Sequence, residues 1–146
     1  MNNNSQSCTN LKLRQLGRVV TRDYDHHAAK VGLKNAQFAL LSYIIKLGPI
    51  RPGDLARQMH MDASTLTRNV QVLAAQGWVT IGAGEDARSR LVEALPAGRA
   101  KREEGQRAWR AAQTELNTRL GVERVAALHT LLDACIACLD GDVDAE

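Results

Sequence analysis

Between Met61 and Val79 the chain reads MDASTLTRNVQVLAAQGWV. Wound at about 100° per residue, this stretch brings Leu66, Val70 and Leu73 within about 60° of one another. An apolar stripe of that width has to be buried. Asp62, just before it, is a residue type that caps helix N-termini, and Gly77 is a residue type that ends helices. The period then changes, because Trp78-Val-Thr-Ile81 is strand-like. Upstream, Pro52 suits the first turn of a short helix carrying Leu55, Ala56 and Met59. The inward face of the longer helix can pack on Leu55 and Met59. A short helix, a turn at His60-Met61-Asp62 and a second helix make a helix-turn-helix.

The remaining chain completes a small, mainly helical fold. Apolar residues at Leu13, Leu16, Val20, Tyr24, His27 and Val31 follow helical spacing, with Gly32 as a C-cap. A second helix runs from Asn35, its expected cap, through Phe38, Leu41, Ile44, Ile45 and Leu47 to Gly48-Pro49. Leu91-Val-Glu-Ala-Leu95 is a second strand-like run closed by Pro96, and GAGEDARSR between the two runs is a hairpin tip. Residues 97–119 form a long charged helix. A last helix repeats Val125, Leu128, Leu132, Cys135 and Leu139 at intervals of 3, 4, 3 and 4. The fold class is therefore mainly α with a small β-hairpin wing. The terminal helices have little globular domain to cover, so their stripes most simply bury against a second copy, giving a homodimer.

Composition sets the outer bounds. Hydrophobic residues are 45% and charged residues 24%, and aromatics only 3%, so the core is built from Leu, Val, Ile and Ala. No apolar run approaches the roughly 20 residues of a membrane span, and MNNNSQSC carries no apolar signal segment. The expected location is cytoplasmic, with no membrane contact. Residues 1–10 are expected to be disordered and 141–146 to be an acidic tail. The net charge is +3, but Asp140, Asp142, Asp144 and Glu146 crowd the C-terminus. Without those four acids, 19 bases stand against 12 acids, a body that suits a polyanion.

The outward face of the Met61–Val79 helix says which polyanion. Ser64, Thr67, Arg68 and Gln71 fall within an arc of about 100° opposite the buried stripe. That face has donors and one cation but no acid, whereas a merely solvated face mixes Glu with Lys. In a helix-turn-helix the second helix enters the DNA major groove. There Arg pairs with guanine, Gln with adenine, and hydroxyls with phosphates or bases. Ser64 and Thr65 equally fit helix capping. At the hairpin tip, Arg88 and Arg90 ride a ribbon thin enough for the minor groove, and Asp86 can hold an arginine in place. Arg51, before the short helix, cannot cap it and is placed to reach a phosphate.

DLARQMHMDASTLTRNVQVLAAQGWV followed by EDARSRLVEALPAGRA resembles the winged helix-turn-helix of the MarR family of bacterial transcriptional regulators. The resemblance covers residues 11–140, with the winged helix-turn-helix over about 35–96 and dimerisation helices over about 11–31 and 97–140. Its most specific parts are Ser64-Thr65-Leu66-Thr67-Arg68, Gly77-Trp78-Val79 and Asp86-Ala87-Arg88-Ser89-Arg90. It implies an obligate homodimer on a pseudo-palindromic double-stranded DNA operator, usually a repressor released by a small molecule or by oxidation. It maps Thr67, Arg68 and the neighbouring hydroxyls to the recognition helix and Arg88 to the wing arginine. The sequence departs from the family at Arg51, where a hydroxyl cap is usual, and at Ala74, where an acid is common.

The switch has two sets of candidates. Tyr24, His27 and Tyr43 are the residues available to line a pocket for a phenol or carboxylate. Cys8, before the first helix, matches the neighbourhood where one branch of the family carries a peroxide-reactive thiol, and helix N-termini favour thiolates. Cys135 and Cys138, on the last helix, are the possible partners of Cys8 across a dimer. Three cysteines without an export signal argue against a disulfide framework. No nucleophile elbow, phosphate loop or metal-ligand cluster is present, so neither an enzyme nor a cofactor or metal is expected. A winged helix used only for protein contacts is the remaining alternative, and Arg68, Gln71 and Arg88 on one surface argue against it.

Overall fold

A computed structural model describes residues 7–83 and 90–140 of the chain. Helix α1, Thr9–Ala28, continues as a 3-10 turn, Ala29–Val31, and stops at Gly32 with φ of 73°. Helices α2 (Asn35–Leu47), α3 (Pro52–Gln58) and α4 (Ala63–Ala75) follow. Strands β1 (Val79–Ile81) and β2 (Val92–Ala94) form an antiparallel hairpin. Helices α5 (Pro96–Leu120) and α6 (Val122–Asp140) complete the described chain. The chain divides into two units, Met1–Arg110 and Ala111–Glu146, so that α5 starts in the first and ends in the second.

Two helix starts differ from the sequence expectation. Thr9 and Asn10 belong to α1 rather than to a disordered lead, because Cys8 caps it and its Sγ accepts from the Leu11 N–H at 3.4 Å. Asn35 is not the cap of α2 but its first residue. Its N–H donates instead to Oδ1 of Asp25 on α1 at 2.7 Å, while Oε1 of Gln37 accepts from the Lys34 N–H at 2.9 Å. A carboxylate ten residues upstream thus meets an orphan donor of α2. The acidic segment 141–146 and residues 1–6 lie outside the described residues.

One apolar cluster organises the first unit. Leu40, Leu41 and Ile44 of α2, Leu55 and Ala56 of α3 and Leu66, Val70 and Leu73 of α4 are buried with Val79, Val92 and Ala94 of the hairpin. The hairpin pairs Val79 with Ala94, Thr80 with Glu93 and Ile81 with Val92. The buried strand positions Val79, Val92 and Ala94 turn to the core while Thr80 and Glu93 are exposed, as the two-residue strand period requires. Ile50, between α2 and α3, bridges Val92 from its other edge, donating to its carbonyl at 3.1 Å and accepting from its N–H at 2.8 Å. The base of the hairpin is thereby fixed to the same core as the helices.

The first turns of α5 lie close to this body through glycines. A Cβ on Gly98 would fall 2.0 Å from the Trp78 carbonyl oxygen, and one on Gly105 would fall 2.5 Å from the Phe38 ring. Between them, Nζ of Lys101 lies 5.8 Å from the Trp78 ring centroid and the Arg102 guanidinium 5.9 Å from that of Phe38. In the second unit, Gly121 takes φ of 89° between α5 and α6. Val125 is buried, whereas Val122, Leu131, Ile136 and Leu139 are exposed.

The glycine at 98 gives a direct check on this packing. Gly98→Ala is expected to destabilise the protein by about 1–3 kcal/mol, since the obstacle is backbone and cannot swing aside. Gly53→Ala, where nothing lies within 4 Å of the added carbon, serves as the control. Equal urea midpoints for the two variants would show that α5 does not approach Trp78 this closely.

Candidate nucleic-acid interface

Helix α4 is held by what it buries. Leu66, Val70 and Leu73 are 0%, 1% and 0% exposed, so the helix cannot rotate about its axis. The turn before it is short and tightly bonded. The Met59 N–H reaches the Leu55 carbonyl at 3.0 Å and the Met61 N–H the Ala56 carbonyl at 2.9 Å. His60 carries the chain around at φ of 52°, a left-handed conformation unusual for a residue with a Cβ. As the sequence indicated, Ser64, Thr67, Arg68 and Gln71 are all exposed on the side away from the core, and Ala75 extends that side.

The hydroxyls on this helix are already engaged. Oδ2 of Asp62, the N-cap, accepts from Ser64 Oγ at 2.5 Å, from the Thr65 N–H at 3.2 Å and from Thr65 Oγ1 at 3.2 Å. Thr65 is half-buried beside the cap, so its hydroxyl is drawn into capping rather than aimed outward. Thr67 Oγ1 donates to the Ala63 carbonyl at 2.9 Å, leaving its lone pairs and methyl outward. Nη2 of Arg68 donates to Thr65 Oγ1 at 3.4 Å. The Asp62 carboxyl is held below the ordinary value of 3.8, chiefly by the Ser64 hydroxyl, then by the Thr65 N–H and hydroxyl, with the Arg68 charge adding to them. The outward groups best able to donate to a partner are Arg68 and Gln71.

Other cations flank the helix. Arg51, exposed at the N-cap position of α3, makes no side-chain cap, as its chemistry requires. Arg57 on α3 is tied to Asp54 one turn back. Arg90 is exposed where the chain enters β2. Arg88 and Asp86 lie outside the described residues.

Of the three expected pocket residues, Tyr43 lines a cleft to which the other two, Tyr24 and His27, do not contribute. The cleft, of about 550 Å³, is lined also by Ser42, Lys46, Leu47, Gln58 and Arg102. Tyr24 is buried on α1, and that burial raises its phenol above the ordinary value. Sequence reasoning missed Lys46 and Arg102 here. Lys46 stands one turn from Ser42 on the same helix and was open to the periodicity argument, but Arg102 comes from 60 residues away. Its Nε lies 3.4 Å from Ser42 Oγ, which itself donates to the Phe38 carbonyl at 2.8 Å. Cys8, Cys135 and Cys138 are all exposed thiols. Among the described residues, no helix is long and apolar enough to cross a membrane.

Comparison with known proteins agrees with this geometry. Residues 31–89 match the model of the MarR family. Over 81 residues the chain is 27% identical to an uncharacterised helix-turn-helix-type transcriptional regulator of Bacillus subtilis, YwoH, a match that spans 56% of this chain and 59% of that protein. The Mycobacterium tuberculosis regulator MosR, solved in complex with DNA, is 31% identical and superposes with a TM-score of 0.70 over 88% of this chain and 98% of its own. A mutant MarR of Escherichia coli, complexed with operator DNA, is 25% identical, with a TM-score of 0.75 over 86% of this chain and 91% of its own.

The cap predicts a pH signature. Because the folded carboxyl of Asp62 sits below its ordinary value of 3.8, its contribution to stability is present above that value and is lost as the pH falls through the lower folded one. The gap in urea midpoint between wild type and Asp62→Asn should therefore hold constant from neutral pH to about 5 and close below 3.8. A gap that persists unchanged into strong acid would contradict the cap.

Proposed function

The chain belongs to the MarR family of transcriptional regulators, and on that premise we propose that it is a homodimeric repressor that grips a pseudo-palindromic operator with one α4 per protomer. The outward face of α4 carries this reading. It presents Arg68 and Gln71, side chains of the types that discriminate guanine and adenine in the major groove, and the acid that caps the helix, Asp62, is occupied by three donors. Ser64 and Thr67 fill the spaces between as small contacts, and Thr65 supports the cap. Arg51 is assigned to a phosphate, and the wing residues Arg88 and Arg90 to the adjacent minor groove, with Asp86 supporting them.

Two observations support a dimer. Leu11, Leu13, Leu16 and Val19 on α1 are exposed, and so are Leu131, Ile136 and Leu139 on α6, the last of them 75%. Apolar faces this extended mark an interaction surface, and a second copy offers the matching one. Fitting two copies of α4 to DNA then requires half-sites about 10–10.5 bp apart.

For release, the reading supported best is an anionic phenol or carboxylate. Lys46 and Arg102 bring two cations, and Tyr43 and Ser42 two hydroxyls, to a single cleft. Tyr24 and His27 are assigned to the body of α1 near its end rather than to that cleft. A second reading is oxidation of Cys8, favoured by its exposure at the cap of α1, with Cys135 and Cys138 as exposed partners in the dimer.

Fluorescence anisotropy on a duplex selected from a random pool tests the proposal. Affinity should fall steeply as salt rises, and Arg88→Ala should weaken binding to every sequence and lower the salt slope by about 1. Binding to the selected duplex no tighter than to random duplex would refute a specific regulator. In the same assay, oxidant should release wild type but not Cys8→Ser if the thiol is the switch, and should release both or neither if the cleft is.

A further inference from the structure

The acid at the tip of α4 needs an explanation. A carboxylate facing a phosphate backbone costs affinity, and capping alone is served equally well by Ser or Asn. Asp62 does more than cap. Its Oδ2 receives Ser64 Oγ at 2.5 Å and the Thr65 N–H at 3.2 Å, so the carboxylate is pinned to the first turn of the helix. The same oxygen receives Thr65 Oγ1 at 3.2 Å, and Thr65 Oγ1 in turn lies 3.4 Å from Nη2 of Arg68.

The direction of this chain is fixed by chemistry. An arginine donates only, a carboxylate accepts only, and a threonine hydroxyl has one proton to give. With that proton turned to Asp62, the Thr65 oxygen is left to accept from Arg68. Each bond therefore orients the next, and polarisation along the chain strengthens both.

We propose that Asp62 and Thr65 are positioning residues that hold the Arg68 guanidinium in the orientation from which it reads a base. The inference rests on α4 being the DNA-facing helix and adds which residues set its specificity. An exposed arginine ordinarily samples many rotamers and loses that freedom on contact. A guanidinium anchored by one N–H on Nη2 has less to lose, and four donors remain for a bidentate contact. The anchored orientation also penalises a wrong base, because the fork cannot swing away to another acceptor. Asp62 thus acts at a distance from the base, through Thr65, and Ser64 serves the relay by fixing the carboxylate.

The test separates positioning from folding. Thr65→Val keeps the shape and the backbone N–H that caps the helix but removes the hydroxyl; Thr65→Ser restores it. Affinities are measured for the duplex selected from a random pool and for each of its single-base-pair variants. Arg68→Ala should abolish discrimination at one base-pair position, a loss of roughly 5- to 150-fold. Thr65→Val should lose at least about threefold of the discrimination at that same position and nowhere else, Thr65→Ser should recover it, and Thr65→Val should add nothing in an Arg68→Ala background. A uniform loss across all variants, a loss at a different position, or additive losses in the double variant would overturn the relay. Discrimination that survives Arg68→Ala intact would refute the interface itself, and the relay with it.

Discussion

Burial of Leu66, Val70 and Leu73 against Leu41, Ile44 and Leu55 is the contact on which the rest depends. Each such side chain contributes about 1.5–3 kcal/mol when removed from water, and no polar or charged side chain among the described residues is buried with them. The stripe fixes the rotation of α4, and that rotation alone decides that Arg68 and Gln71 point outward. It also fixes the hairpin, because Val79, Val92 and Ala94 close the same cluster and Ile50 bridges Val92 from the opposite edge. The helix and the base of the wing are therefore set relative to each other by one apolar body rather than by loops.

On that frame the polar residues divide the work in an order the backbone imposes. The first turn of a helix has unpaired N–H groups, and Asp62 takes one of them. Ser64 and Thr65 then turn to the carboxylate, and Thr67 turns to the carbonyl one turn back. Arg68 and Gln71 keep donors that these bonds do not use. The hydroxyls that the sequence reads as DNA donors are thus also engaged within the first turns of the helix.

Much of this was legible in the sequence, and the limits have physical causes. Period and punctuation gave α4, because Asp62, the 66–70–73 stripe and Gly77 are all local signals. The wing was readable from two short apolar runs around a charged, glycine-bearing tip, although its strands are three residues each and shorter than the runs. The cap of α2 was misread. Asn35 is a good local cap, but Asp25 comes from another helix and no spacing rule points to it. Tyr24 lies on the inward stripe of α1 whereas Tyr43 is exposed on α2, and residues on different helices line one pocket only if the helices present those faces to each other. Lateral packing also explains why the demand for glycine at position 98 was invisible, since it arises from a carbonyl twenty residues away. The partition of the hydroxyls was half legible: capping and recognition call for the same residue types, and only the donor geometry separates them.

The account stands or falls on two copies of α4 entering successive major grooves on one face of the duplex. Hydroxyl-radical footprinting on a selected operator measures this directly. The account predicts two protected patches related by a two-fold axis, their centres about 10–10.5 bp apart, with two chains bound per duplex. A single asymmetric patch, or saturation at one chain per duplex, would contradict it.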